Sequence, residues 1–179
     1  MATKPTTTDP AGQGTYFKHK DTRAETAASR AFGMMLMRLK DMISAEIRIE
    51  TGALYVLGLE LVQELRMAER SREALIEAAF DVIASPDACP EDRGLRRMAV
   101  LLTTAIQMED DTERQRLHAQ TNHHRDVFDI IVTGPGARQA RRLQMAFFQH
   151  FDALGSLREF GCTGIALEAH SDALEPTAA

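Results

Sequence analysis

In at least four segments between about residue 22 and residue 157 the apolar residues return every three or four positions, and this pattern limits the fold more than any other feature; the stretch from Arg114 to Asp126 is highly polar. Such spacing puts apolar side chains on one face of an α-helix, whereas a half-buried strand needs strict alternation. Phe32, Leu36, Leu39, Ile43 and Ile47 make one stripe, predicting a first helix over about Thr22 to Glu50. Met35 and Met42 widen it, and Met34 and Met37 fall on other faces. A helix apolar over so much of its girth is either central to a bundle or half of a dimer contact. We take the core role as the first reading.

Breaks divide the chain into helix-length pieces. Thr51-Gly52 ends the first helix, and a second starts near Ala53. Its stripe is Leu54, Leu57, Leu61, Leu65 and Ala68, with Tyr55, Leu59 and Val62 beside it, so its first turns are expected to be buried on most sides. Leu75, Ile76, Ala79, Phe80 and Ile83 carry a stripe on to Ala84. Ser71 suits an N-cap, so residues 53–84 form one helix or two. Ser85-Pro86-Asp87-Ala88-Cys89-Pro90 is the sharpest break, with Pro90 fitted to the first position of the next helix and Glu91 and Asp92 to its positive end. Leu95, Met98, Ala99, Leu102 and Ile106 follow as its stripe.

Glu109-Asp110-Asp111-Thr112 either caps a further helix or is a polar turn within a longer one. The run Val127 to Val132 is β-branched enough for a strand, but without a partner strand a helix is the preferred reading. Thr133-Gly134-Pro135-Gly136 is a firm stop. A last long helix is expected over about Ala137–Leu157, with Leu143, Phe147, Phe151 and Leu154 facing inward and Gly155 or Gly161 at its end. The sum is an all-α fold, an antiparallel helical bundle or array of four to six helices. The expected organisation is a flexible arm over 1–20, a single helical domain over 21–170 and a flexible tail over 171–179.

Composition narrows the function classes. A net charge of −5 argues against nucleic acid as the main partner, because phosphate binding needs a positive field. No stretch reaches the ~18 apolar residues of a membrane span, so no membrane partner is expected. The opening MATKPTTTDPAGQG has no apolar core of a secretory signal, which makes the cytoplasm the expected compartment. Scarce lysine and abundant arginine and alanine suggest a GC-rich bacterial source. Cys89 and Cys162 share no metal-ligand spacing and read as two small buried thiols, with a single disulfide as the alternative.

Histidine placement is the feature closest to chemistry. His124 lies on the stripe of Leu117, Phe128 and Ile131, and His150 on that of Leu143, Phe147 and Leu154. Both are expected to face apolar surfaces of neighbouring helices, where His118 or His123 could join them. Imidazole is a common metal ligand, so His124 and His150 are candidate metal or haem ligands. The favoured reading is structural, each ring bonded to a carbonyl or carboxylate. Glu60 in an apolar stretch is a candidate proton or metal group, with an arginine partner as the plainer reading. Arg138, Arg141 and Arg142 follow the Gly-Pro-Gly turn and are candidate anion ligands, with a solvated basic face as the alternative. Lys18 to Lys40 is locally basic, without a helix-turn-helix pattern. No Gly-x-Ser-x-Gly, His-Glu-x-x-His or Glu-x-x-His is present, and no cofactor is called for.

The expectation is a non-enzymatic adaptor, scaffold or regulatory protein that acts through protein–protein contact. It would self-associate through its methionine-rich first helix. The alternative is a small-ligand or metal/haem sensor using His124 and His150.

Overall fold

A computed structural model describes residues 25–52, 59–131, 135–158 and 160. The described residues are all-helical, with no strand, and form a helical bundle. Five α-helices run as α1 (Ala27–Gly52), α2 (Leu59–Ala84), α3 (Pro90–Gln107), α4 (Asp111–His123) and α5 (Pro135–Gly155), with a 3-10 turn over Arg125–Phe128. The predicted arm (1–20), the tail (171–179), the first half of the predicted turn over 133–136 and the first turns of the second predicted helix (53–58) lie outside the described residues, while Pro135 and Gly136 already belong to α5.

α1 starts at Ala27, later than its stripe alone predicts, because Thr26 caps it. The Thr26 hydroxyl oxygen accepts from the Ser29 N–H at 3.0 Å. α1 runs along α2 and also touches α3 and α5. Late α1 meets early α2 through Arg48 and Glu64 at 3.2 Å, and Glu46 meets Arg72 at 2.9 Å, so the two helices are antiparallel. Phe32, Met35, Leu36, Leu39, Met42 and Ile43 are buried as the stripe predicts, but Ile47 is exposed.

Residues 59–84 form one helix. Ser71 is no cap: its hydroxyl donates to the Met67 carbonyl within the same helix at 2.9 Å. Burial over 53–60 lies outside the described residues, and beyond it the burial differs from the predicted stripe. Val62 and Leu65 stay exposed while Ala68 is buried, and further on Leu75, Ala79 and Val82 reach the core whereas Phe80 does not. The helix packs on α1 and α3, and its apolar width exceeds those contacts among the described residues.

Pro90 opens α3 with Cys89 as N-cap, and Leu95, Met98, Ala99, Leu102 and Ile106 fill the core. Asp110 caps α4, its side chain accepting from the Glu113 N–H at 2.9 Å. The run from Val127 becomes neither strand nor full helix; after the single 3-10 turn it leaves 129–131 irregular. α5 supplies the aromatic centre. Phe147 stacks on Phe151 at 5.6 Å and meets Phe32 of α1 at 6.0 Å. Each such side chain contributes about 1.5–3 kcal/mol on full burial. Beyond α5, Phe160 is buried between the guanidinium groups of Arg72 (5.6 Å) and Arg114 (4.9 Å). The Arg158 N–H donates to Glu50 at 2.6 Å.

Candidate functional site

The closing helices meet through a histidine, but it is neither His124 nor His150, and the structure shows no contact between those two among the described residues. His118 of α4 reaches α5, with Nε2 3.1 Å from the Phe151 carbonyl oxygen and its ring stacked on Phe151 at 5.0 Å. A carbonyl only accepts, so Nε2 carries the proton. Nδ1 is then the acceptor, 3.4 Å from Asn122 Nδ2. Gly155 makes this approach possible. A Cβ at that position would lie 2.3 Å from His118 Nε2. His118 is thus a structural histidine with both ring nitrogens engaged.

His124 is not on a core face. It is exposed at the C-terminus of α4, where its ring meets His123 edge-on at 4.6 Å. The chain leaves helical geometry there, so extending the Leu117 stripe through His124 fails. His150 is half-buried on α5; burial, and then the charge of Lys40, push its pKa below the usual value. Among the described residues no three His, Cys, Asp or Glu side chains stand close enough together to hold a metal ion. The side chain of Glu60 lies outside the described residues.

The candidate anion ligands differ in their placement. Arg138 and Arg142 are exposed. Arg141 turns back to donate to the Ile130 carbonyl at 2.9 Å. It helps line an open groove of about 760 Å³ between 125–131 and α5. There Arg125 pairs with Asp152 at 2.5 Å and lies over the Phe148 ring at 5.0 Å. Gln144 donates to Asp129 at 3.2 Å. Arg125 and Asp152 thus neutralise each other within the groove, while Ile131 (84% exposed) and Met145 (68%) stand at its rim.

A polar knot at the start of α3 escaped the sequence reading. Asp92, 1% exposed, accepts from the Thr26 hydroxyl at 2.7 Å and from the N–H groups of Ala88 and Cys89 at 2.9 and 3.1 Å. It thereby ties the N-terminus of α1 to that of α3. Glu91 is 3% exposed, and neither carboxylate oxygen has a hydrogen-bond partner among the described residues. It lies in the first turn of α3, at the positive end of the helix dipole. Burial pushes the Cys89 thiol up to about 11; the Glu91 and Asp92 carboxylates add to the rise, and a backbone hydrogen bond at Asp92 partly offsets it. That thiol is the reverse of an activated nucleophile.

The outward face of α1 leaves Met34 48% and Met37 54% exposed. Gly33 beside them has nothing within 4 Å of where a Cβ would stand. No helix among the described residues is long and apolar enough to cross a membrane. No protein-family model matches the chain, and no curated protein or solved structure matches it.

Proposed function

We propose that this chain is a non-enzymatic interaction protein, an adaptor, scaffold or regulatory subunit, that self-associates through α1. The observation that carries the reading is the pair Met34 and Met37, half-exposed on a helix whose opposite face already fills the core. Paired apolar side chains left at the surface favour a protein contact, and methionine adapts to varied partners. The net charge of −5 supports a protein partner over nucleic acid. A bacterial, cytoplasmic setting belongs to the same reading.

Light scattering on the purified chain at tens of micromolar tests it. The expected mass exceeds the 19.9 kDa of one chain. A clean monomer would overturn self-association, since a micromolar dimer requires about 8 kcal/mol. The sensor alternative is tested on the same sample by metal analysis and an absorption spectrum. Near-stoichiometric cargo that vanishes in both His124→Ala and His150→Ala would replace the present reading.

A further inference from the structure

Four of the exposed positions of α1 are regularly spaced along one face. Arg30, Met34, Met37 and Asp41 are all exposed and succeed each other by steps of four, three and four. That is the spacing of a seam between two packed helices. The seam is also nearly self-complementary under a twofold axis. When the axis crosses α1 level with Met35 and Leu36, Met34 falls opposite the partner's Met37, and Arg30 falls opposite the partner's Asp41. Each contact occurs twice, as an isologous interface requires. Arg38 falls opposite Gly33 of the partner subunit, and the space above that glycine is open.

The charges fit the same alignment. Arg30 has no ion pair among the described residues, and Asp41 has a long one, 3.8 Å to Arg38. Both are therefore available at the surface. A parallel pairing in register would instead set Arg30 against Arg30 and Asp41 against Asp41.

From this we infer that two copies of the chain pack α1 against α1 in antiparallel orientation, with Met34 on Met37 at the centre and Arg30 paired with Asp41 at each end. The inference rests on the self-association proposed above and specifies its geometry. Charge complementarity fixes register and orientation more than raw affinity, which makes it the feature to test.

The experiment compares the dimer dissociation constant of the full chain with those of Arg30→Glu, Asp41→Arg and the double reversal, by sedimentation equilibrium. Each single reversal places two like-charge pairs in the interface and should weaken the dimer about tenfold. The double reversal should restore it. Restoration separates this geometry from a general loss of fold, because both residues are exposed and circular dichroism should be unchanged in all three. As a second measurement, Met34→Cys chains mixed with Met37→Cys chains, with Cys89 and Cys162 replaced by serine, should cross-link to each other under mild oxidation in preference to themselves. A wild-type monomer would sink self-association itself. A wild-type dimer indifferent to the single reversals, or not restored by the double, would leave self-association standing and overturn this interface. Preferential Met34→Cys homodimers would do the same by showing a parallel contact.

Discussion

Replacing Asp92 with alanine should be among the costliest single changes on this protein's polar residues. The carboxylate is buried and accepts three hydrogen bonds, from the Thr26 hydroxyl and from the Ala88 and Cys89 N–H groups. A hydrogen bond to a charged group contributes about 1.5–3 kcal/mol, but the three are not additive here. The two freed N–H groups lie at a chain turn that water can enter in part, and loss of a helix cap alone typically costs about 0.5–2 kcal/mol. A total near 3 kcal/mol follows, a large share of the ~5–15 kcal/mol that holds most domains folded. For a chain of this size the melting temperature should fall by roughly 6–12 °C. Urea unfolding of Asp92→Ala, Thr26→Val and the double variant measures it, and the two sites should couple by about 1 kcal/mol through the shared hydroxyl bond. Asp92→Asn should fall between, since its amide keeps one acceptor but turns a donor toward other donors. A loss below about 1 kcal/mol for Asp92→Ala, or strict additivity with Thr26→Val, would refute the claim that this carboxylate ties two helix starts together.

Gly155→Ala should destabilise by about 1–3 kcal/mol, because the new methyl displaces the His118 ring; in a His118→Ala background the same change should become neutral or stabilising by up to about 1 kcal/mol, since alanine favours helix. Thermal melts of the four chains decide it. Cys89, in a Cys162→Ser background, should resist iodoacetamide near pH 8 and react only as pH approaches its thiol value of about 11, and Glu91→Gln should bring that reaction to lower pH. The folded pKa of His150 lies below its unfolded value, so the unfolded chain binds the extra proton first and stability falls as pH drops through about 6.5 and below. Urea midpoints measured from pH 7.5 to 5 should therefore decline less steeply in His150→Gln than in wild type.

The helices were legible wherever periodicity and chemistry agreed. The stripe of α3 and the aromatic face of α5 came straight from spacing, because those helices bury one face each. Pro90 marked its helix start by its missing N–H. What spacing does not reveal is which apolar face finds a neighbour. Ile47, Val62, Leu65 and Phe80 read as core by period and lie exposed because the neighbours of α1 and α2 among the described residues do not reach those positions. The histidine contact was legible in kind and missed in identity. His124 belongs to the stripe only if helix α4 continues, and α4 ends at His123. The Gly155 that admits His118 looked like a helix terminator, and its second role depends on a residue far away in sequence. Asp92 read as a helix-dipole residue; its bond to Thr26 spans 66 positions and leaves no local trace.

Phe160, held between Arg72 and Arg114, has a consequence for how the molecule opens. α4 buries just Arg114 and Thr121 among its residues, so little apolar surface holds it down. Its attachment depends on side-chain fasteners: the His118 bond to Phe151, the Arg125 pair with Asp152 at the turn that follows, and the Arg114 face against Phe160. An element secured this way detaches at far less free energy than the core demands. Amide protons of α4 should exchange with solvent through a local excursion that leaves those of α1 and α3 protected. Phe160→Ala should widen that gap, and a protease that nicks the native protein should find α4 before the other helices.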